Sequence, residues 1–301
     1  AYTAVIMTED KLYAVRDPYG NRPLCLGKIG EDGYVVASES CALDAIGATF
    51  LRDVEPGEIL TIDENGLHST KLFNHERNAL CIFEFIYIAR PDSNIDGINV
   101  NKARRLMGRE LAKEAPLDVD TVIAVPDSGT TAAIGYAEES GIPYTQGILK
   151  NRYTGRSFIM PTQEMREQMV KLKLNPIRDA LEGKRIAVVD DSIVRGTTSR
   201  KLVKLLREYG AKEVHMLISA PPVKYPCFYG VDTGNPDELI ASKKSVDEIC
   251  KYIGADSLHY LSMEGILRAV EWSGCGFCTA CLSGEYPMGT PNYDNVKAAL
   301  E

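Results

Sequence analysis

Two patterns of hydrophobic positions divide the chain near residue 75. Before it, short apolar segments are separated by turn sequences such as DPYGNRP, EDG and DENG, which is typical of antiparallel β-hairpins. The predicted strands are YTAVIMT, KLYAVRD, PLCLGKI, YVVASES, EILTID and LHSTKLF, and one short helix is predicted around 41–47. Hairpins with a single short helix cover only one face of a sheet, so we expect residues 1–75 to be part of a larger β-rich domain.

After residue 75, strand-like apolar runs alternate with amphipathic helices. The predicted strands are CIFEFIYIA, TVIAV, YTQGILK, RIAVVDD and EVHMLISAPP, and the predicted helices cover 102–115, 130–140, 163–174 and 197–209. This alternation predicts right-handed βαβ crossovers, and therefore an α/β domain whose parallel sheet is covered by helices on both faces. We place this domain at 76–235, and a mostly helical C-terminal region with a cysteine cluster at 236–301.

Composition narrows the class of protein. Hydrophobic residues make up 45% and charged residues 25% of the 301 residues, which is typical of a globular protein and excludes disorder. The net charge of −8 argues against a nucleic-acid partner. No run approaches the roughly 20 apolar residues of a membrane helix, and the N-terminus lacks a signal-peptide pattern. We therefore expect a cytoplasmic protein with reduced thiols and no membrane partner.

The strongest chemical signal is IAVVDDSIVRGTT at 186–198. An apolar strand ends in two adjacent carboxylates, Asp190 and Asp191, which repel each other unless they bind a cation or accept hydrogen bonds from sugar hydroxyls. The turn that follows enters a helix, whose first N–H groups, hydroxyls and dipole suit a phosphate. In a parallel sheet both features lie at the carboxyl edge, where ligands bind. The alternative is a helix cap followed by a solvated turn.

Two further segments fit an anion site. VPDSGT at 125–130 joins a strand to a helix and places a hydroxyl, a glycine and free N–H groups at the same sheet edge. KNRYTGRSF at 150–158 carries three cations within seven residues and follows another predicted strand. We interpret this second segment as a lid that closes over an anion and excludes water. The alternative is an exposed, solubilising loop.

The acidic strand end and its loop resemble the signature of type I phosphoribosyltransferases, which bind 5-phosphoribosyl 1-pyrophosphate (PRPP). PDSGT, KNRYTGRSFI and VVDDSIVRGTT, in this order, are similar to glutamine PRPP amidotransferases. CIFEFIYIARPDS, CTACLSGEYP and the N-terminal DPYGNRPL and VVASESCALDAIGA extend this resemblance over nearly the whole chain. The resemblance implies a type I phosphoribosyltransferase sheet preceded by part of an N-terminal-nucleophile hydrolase-like domain.

The resemblance also implies a set of site residues. The acidic pair would contact the ribose hydroxyls and the Mg²⁺ shell, 194–199 the 5′-phosphate, and 125–130 the pyrophosphate. The lid would be Lys150, Arg152 and Tyr153, and the Mg²⁺ ligands would be Ser128, Asp190 and Asp191. The implied PRPP-binding residues are Asp127, Ser128, Gly129, Thr130, Asp190, Asp191, Val194, Arg195, Gly196, Thr197, Thr198 and Ser199.

The activity implied by the resemblance is the first step of purine synthesis. Ammonia, normally delivered from glutamine, displaces pyrophosphate from PRPP to give 5-phosphoribosylamine, in a homo-oligomer that purine nucleotides inhibit. The N-terminal segment resembles only the second half of the family's glutaminase, whose catalytic cysteine is the first residue of the mature chain. Cys25 and Cys41 do not match that position, and we predict both to be core thiols. The chain is therefore not expected to hydrolyse glutamine.

Three of the eight cysteines lie in CGFCTAC, a spacing similar to that of ferredoxins. Thiolates without a nearby histidine favour an iron–sulfur or zinc site. The resemblance to the iron–sulfur branch of the amidotransferases implies a 4Fe-4S cluster held by Cys81, Cys227, Cys278 and Cys281, with Cys275 as a competing ligand. Zinc and free thiols are the alternatives.

Two other functions are alternatives to the amidotransferase. A regulator could retain the PRPP fold as a purine sensor without catalysis, although the net charge does not suggest a nucleic-acid surface. A salvage-type nucleobase phosphoribosyltransferase would share the PRPP site, but the glutaminase-like strands and the cysteine set argue against it.

Overall fold

Antiparallel strands fill the first part of the chain and parallel strands the second in the computed structural model, which describes residues 1–71, 78–151, 174–233, 235–270 and 276–290. Two compact units are interleaved along the sequence. The first contains Ala1–Ala103, Lys224–Pro236 and the described part of Glu271–Glu301, and the second contains Arg104–Val223 and Asp237–Val270. The domain boundaries at 75 and 235, which cut the chain into consecutive segments, stay a prediction.

The strands are β1 (Thr3–Met7), β2 (Leu12–Arg16), β3 (Cys25–Ile29), β4 (Gly33–Ala37), β5 (Thr49–Asp53), β6 (Glu58–Asp63), β7 (Gly66–Lys71), β8 (Leu80–Cys81), β9 (Asn94–Ile95), β10 (Ile98–Asn99), β11 (Thr121–Ala124), β12 (Ile148–Lys150), β13 (Leu174–Pro176), β14 (Arg185–Asp190), β15 (Glu213–Ile218), β16 (Ser257–Tyr260) and β17 (Phe277–Cys278). The helices are α1 (Ser40–Ala45), α2 (Val100–Glu114), α3 (Thr130–Ser140), α4 (Arg178–Leu181), α5 (Thr197–Glu208), α6 (Ile240–Lys243), α7 (Val246–Ile253), α8 (Met263–Ala269) and α9 (Ala280–Ser283). A π-helical turn covers Glu84–Ile88 and a 3-10 turn covers Pro236–Glu238.

Strands β1 to β7 of the first unit form two antiparallel sheets, with the orders β1-β2-β6-β7 and β4-β3-β5. Inward-facing side chains from both sheets, among them Ala14, Leu26 and Leu60, share one buried cluster. The predicted antiparallel hairpins are confirmed. Strand β5 is an addition, because the segment ATFLRDV carried no predicted element.

The prediction of a strand over CIFEFIYIA is wrong. The chain is extended only at β8, and the π-helical turn follows. A short apolar run does not distinguish a buried strand from a buried helical segment. Phe85 and Ile86 are fully buried in succession while Tyr87 and Ile88 are exposed, so the side chains do not alternate between two faces as a strand requires.

The second unit contains the predicted parallel sheet, with the order β11-β14-β15-β16. Val188, Val214, Met216 and Ile218 of its central strands are fully buried, in one cluster with apolar residues of α5 and α7. Helices α2, α3 and α5 begin and end within two residues of their predicted bounds. The apolar periodicity of this unit therefore predicted its layers correctly.

Two strands of this unit differ from the prediction. The segment YTQGILK makes a parallel bridge to β11 at Tyr144, opposite Val122, but it is a strand only in β12, which pairs antiparallel with β13. Strand β16 lies in the region predicted to be helical. The sequence did not indicate this strand because its polar residues Ser257 and His259 interrupt the apolar run that identifies a buried strand. The predicted helix over 163–174 lies outside the described residues, apart from Leu174, which begins β13.

Candidate functional site

Two loops lie side by side at the carboxyl edge of the parallel sheet. Strands β11 and β14 are neighbours in register, with Ala124 opposite Val189. The loops that follow them, 125–130 and 190–196, therefore leave the sheet at the same edge. A hydrogen bond from the Val125 N–H to the Val189 carbonyl (2.9 Å) joins the two exits.

Gly129 allows the first loop to rest on the end of β14. A Cβ at this position would lie 2.4 Å from the carbonyl oxygen of Val189 and 3.2 Å from the Cα of Asp190. Both atoms belong to the backbone and cannot move aside, so any larger residue would push the loop away from the strand. The absence of a side chain at residue 129 thus sets the distance between the two loops.

The acidic pair sits at this junction. Asp191 is 7% exposed, and it accepts hydrogen bonds from the hydroxyls of Ser192 (2.5 Å) and Ser128. One carboxylate oxygen of Asp190 accepts a hydrogen bond from the N–H of Asp191 (2.9 Å). Ser128 from the first loop therefore contacts the acidic pair of the second, which brings together the three residues predicted to hold Mg²⁺.

Burial raises the pKa of both carboxylates, and the charge of Asp191 also acts on Asp190. Burial raises the pKa of Asp190 well above its ordinary value, and the charge of Asp191 raises it further. Burial also raises the pKa of Asp191, although the hydroxyls of Ser128 and Ser192 and the charge of Arg104 oppose that rise. The pair therefore carries more negative charge than the nearby described groups neutralise, and a bound cation or hydroxyl donors would stabilise its ionised form.

Arg104 is a site residue that the sequence interpretation missed. It lies on α2, is 3% exposed, and places a positive charge near Asp191. A signal was available in the sequence, because residue 104 falls on the apolar stripe formed by Val100, Ala103, Met107 and Leu111. An arginine in the middle of such a stripe must find a buried partner.

The second loop ends at the first turn of α5. Gly196 adopts a left-handed conformation (φ 75°), and a Cβ there would lie 2.8 Å from Ile240. Within the described residues no side chain caps α5, so the N–H groups of its first turn and the helix dipole point toward the sheet edge. Thr197 and Thr198 are exposed there, whereas Ser199 is buried.

The remaining predicted residues are placed as follows. Arg195 pairs with Glu238, and the Val194 carbonyl accepts a hydrogen bond from the Ile240 N–H (2.9 Å). Thr130 begins α3, a second helix without a side-chain cap among the described residues. The Lys150 ammonium lies 2.6 Å from Asp127, so the start of the predicted lid meets the first loop. Arg152 and Tyr153 lie outside the described residues.

The four predicted cluster cysteines lie near one another in the first unit. Cys81 and Cys278 are direct neighbours in the parallel pairing of β8 and β17. The carbonyl of Cys281 accepts hydrogen bonds from the N–H groups of Lys224 and Tyr225 (both 3.0 Å), which ties it to the segment that carries Cys227. The N–H of Tyr229 donates to the sulfur of Cys227 (3.3 Å).

The thiols of this group interact electrostatically. Burial raises the pKa of Cys81 to about 12, and the neighbouring Cys278 adds to the rise. Burial also raises the pKa of Cys281, and Cys81, Cys227 and Cys278 all contribute. Burial and the neighbouring thiols therefore disfavour the thiolate forms of Cys81 and Cys281. The competing ligand Cys275 lies outside the described residues.

Cys25 and Cys41 lie elsewhere, and both are buried, with exposures of 1% and 5%. Cys25 packs with Leu43 and Ala48 in a small core cluster, where burial raises its pKa to about 12. The prediction that these two cysteines are core thiols is confirmed.

In the part of the chain that the structure describes, we find no group of three or more His, Cys, Asp or Glu side chains that could hold a metal ion. Among the same residues, no helix is long and apolar enough to cross a membrane.

Comparisons with known proteins show which families this chain is similar to. The family model described as "Phosphoribosyl transferase domain" matches residues 96–239. The chain is 54% identical over 293 residues to the amidophosphoribosyltransferase of Archaeoglobus fulgidus, covering 97% of this chain and 64% of that protein. It is 54% identical over 291 residues to the amidophosphoribosyltransferase of Bacillus subtilis, covering 95% of this chain and 61% of that protein. The chain thus spans about three fifths of the length of these relatives.

A solved structure gives the same result. The chain is similar to the B. subtilis glutamine PRPP amidotransferase complexed with ADP and GMP, with a TM-score of 0.90 and 53% identity over 97% of this chain and 65% of that chain. The expected fold class is confirmed: a type I phosphoribosyltransferase sheet with flanking helices, preceded by an antiparallel β-rich domain.

The acidic pair makes a prediction about stability and pH. An unfolded aspartate titrates near pH 3.9, whereas the folded pKa of Asp190 is raised, so between these values the folded protein holds the extra proton. Stability contributed by that proton is complete below about pH 4 and is lost as pH rises toward the folded pKa. Asp190→Asn keeps the acceptor oxygen but cannot ionise. We expect this variant to gain free energy of unfolding relative to the parent between pH 4 and pH 7, measured by urea unfolding without divalent cations.

Glu139→Gln, which changes an exposed carboxylate on α3, is the control and should stay within about 0.5 kcal/mol of the parent at both pH values. A stability difference between Asp190→Asn and the parent that does not change with pH would contradict the assignment of a buried, repelling pair.

Proposed function

We propose that this chain, which belongs to the amidophosphoribosyltransferase family, transfers ammonia to PRPP and releases pyrophosphate to give 5-phosphoribosylamine, the first step of purine synthesis. The observation that carries the proposal is the acidic pair, a half-buried Asp190 and a buried Asp191, between two helix N-termini at one sheet edge. PRPP presents a matching set of groups: a 5′-phosphate, two ribose hydroxyls and a pyrophosphate.

Each part of the sheet edge takes one part of this substrate. The two carboxylates accept hydrogen bonds from the ribose hydroxyls and so fix the ring. The first turn of α5 binds the 5′-phosphate, because its N–H groups and dipole face that anion. The loop 125–130 binds the pyrophosphate at the start of α3, and Lys150 supplies a cation beside it. Arg152 and Tyr153 of the lid belong to the same proposal.

Mg²⁺ fits this donor set. Ser128, Asp190 and Asp191 offer hard oxygen ligands, which Mg²⁺ prefers, and the pair has more negative charge than its described neighbours neutralise. When bound, the ion would neutralise charge on the leaving pyrophosphate.

The reaction needs no nucleophile from the protein. The bond from C1 to the pyrophosphate oxygen breaks, and its electron pair leaves with the pyrophosphate. The lone pair of ammonia forms the new C1–N bond, and the proton lost from nitrogen passes to solvent. Positive charge develops at C1 meanwhile, so the carboxylates of Asp190 and Asp191 stabilise the transition state while the loops hold the reacting groups in line.

Free ammonia is the nitrogen source that we propose for the chain as given. Cys25 and Cys41 are buried in the core, so neither is positioned as a glutaminase nucleophile. The proposal is limited to this chain, which spans about three fifths of its relatives.

Purine nucleotides are the proposed inhibitors. A nucleoside 5′-phosphate shares the ribose and 5′-phosphate of PRPP, so the acidic pair and the first turn of α5 would bind both. The B. subtilis structure is a complex with ADP and GMP, which supports this proposal by similarity. The expected homo-oligomer remains part of the same proposal.

A 4Fe-4S cluster is the proposed second cofactor, held by Cys81, Cys227, Cys278 and Cys281. Four neighbouring thiols, two buried and two half-buried, form a soft donor set, and the Tyr229 N–H that donates to the Cys227 sulfur is a typical partner of a cluster ligand. Each of the four cysteines would bind its own iron atom, so the four thiols would not have to surround a single ion. The donor set fits the group on these grounds.

The role that we propose for the cluster is structural. The transfer of ammonia to PRPP moves no electrons, and the ligands Cys81 and Cys281 are separated by 200 residues. Closing so long a loop restricts the unfolded chain and ties β8 to β17 and α9.

The nitrogen source gives the first test of this function. Pyrophosphate release from PRPP with Mg²⁺ should occur with ammonium, and should stay at background with glutamine, a purine base or no acceptor. A salvage enzyme would release pyrophosphate with a purine base as the acceptor, so the purine bases distinguish the two reactions. Release with a base but not with ammonium would overturn the proposed reaction, and glutamine hydrolysis by this chain would overturn the proposed nitrogen source.

Replacing a cluster ligand tests the second cofactor. Cys81→Ser should abolish the broad visible absorbance and the equal amounts of iron and sulfide, and lower the free energy of unfolding by about 3 kcal/mol or more. Cys250→Ser, which changes a half-buried cysteine of α7, should keep both. Zinc in place of iron would overturn the iron–sulfur assignment. A parent that contains no metal and is no more stable than Cys81→Ser would overturn the proposal of any bound metal.

A further inference from the structure

Asn21 lies in the turn between β2 and β3 and contacts two of the segments that carry the proposed ligands. Its carbonyl accepts a hydrogen bond from the N–H of Cys81 (3.0 Å), and its side-chain amide donates to the carbonyl of Ala79 (2.8 Å). The same side chain hydrogen bonds to the Cys278 thiol. Asn21 is fully buried, so this turn is part of the interior around the cysteines.

Arg22, the next residue, reaches the third segment. One guanidinium nitrogen donates to a carboxylate oxygen of Glu84 (2.8 Å), three residues after Cys81. The other donates to the carbonyl of Tyr229 (3.2 Å), two residues after Cys227. Arg22 therefore links the segments that carry Cys81 and Cys227 through two hydrogen bonds.

The ion pair places a positive charge beside the sulfur atoms. The Arg22 and Glu84 side chains are 18% and 4% exposed, so solvent screens their charges weakly. The Arg22 guanidinium donates to the Tyr229 carbonyl, and the N–H of the same Tyr229 donates to the sulfur of Cys227. The positive charge therefore lies one residue away from a proposed ligand.

We propose that Arg22 is a positioning residue of the cysteine cluster, whose charge stabilises the anionic cluster and whose hydrogen bonds hold the Cys81 and Cys227 segments together. This inference rests on the 4Fe-4S cluster proposed above. Such a cluster with four thiolate ligands is an anion, and its reduction potential depends on the charges and hydrogen bonds around it.

The charge role predicts opposite effects for the two members of the ion pair. Reduction adds an electron to the cluster, so a nearby cation favours the reduced state and a nearby carboxylate disfavours it. Removing Arg22 should lower the reduction potential and make the cluster easier to oxidise. Removing the charge of Glu84 should raise the potential. A purely structural role would instead make both variants lose iron in the same way.

The test compares the full chain with Arg22→Met, Arg22→Lys and Glu84→Gln, all purified without oxygen. Iron and sulfide content, the reduction potential and the rate of bleaching in air are measured for each. We expect Arg22→Met to shift the potential down and to bleach several-fold faster, and Glu84→Gln to shift the potential up and to bleach more slowly. Arg22→Lys should stay close to the parent, because it keeps the charge.

A double variant, Arg22→Met with Glu84→Gln, covers the case in which Arg22→Met fails to fold, since it leaves no unpaired buried carboxylate. Its potential should fall below that of Glu84→Gln. Equal iron content with unchanged potentials, or shifts in the same direction for both single variants, would overturn the role of Arg22 and leave the cluster intact. A parent without iron and sulfide would overturn both this role and the cluster.

Discussion

The proposed transferase site depends on one steric constraint, the close approach of residue 129 to the end of β14. Glycine at this position lets the first loop rest on the strand, with no room for a Cβ between them. The contact brings Ser128 to Asp191 and sets the start of α3 beside the acidic pair. The sites proposed for a pyrophosphate, a ribose and a phosphate thereby lie together at one sheet edge, which is the preorganisation that a positioning mechanism needs.

The same arrangement has a cost in stability. Asp191 is buried and Asp190 is half-buried beside it, and both have raised pKa values because removal from water disfavours their charges; the charge of Asp191 adds to the rise at Asp190. Arg104 and the hydroxyls of Ser128 and Ser192 compensate for only part of this. A cation and the hydroxyls of a sugar would stabilise the remaining negative charge. The acidic pair would therefore favour a ligand that brings both.

The sequence revealed those parts of the site that depend on local signals. The strand ending in Asp190 and Asp191, the turn with Gly196 and the helix from Thr197 follow each other along the chain, so periodicity and turn chemistry were enough to predict them. Arg104 was missed because its role depends on a partner 87 residues away in the chain.

Other features depended on the tertiary structure in the same way. Strand β16 is held by its pairing with β15 rather than by its own apolar pattern. The sequence around Arg22 is that of an ordinary turn, and the role proposed for this residue depends on its hydrogen bonds to Glu84 and Tyr229, which are distant in the chain. Cys81 was grouped with Cys278 by resemblance alone, and the pairing of β8 with β17 supplies the physical reason for their proximity.

The most direct test of the account is equilibrium binding of PRPP, with Mg²⁺, to the parent chain and to Asp191→Asn, measured by calorimetry. Removing one charge from the acidic pair, while keeping its shape and an acceptor oxygen, should weaken binding by about tenfold or more. Glu139→Gln should bind as the parent does. Unchanged binding by Asp191→Asn would contradict the account, because the acidic pair would then be a solvated turn at the end of a strand rather than the site of the ribose.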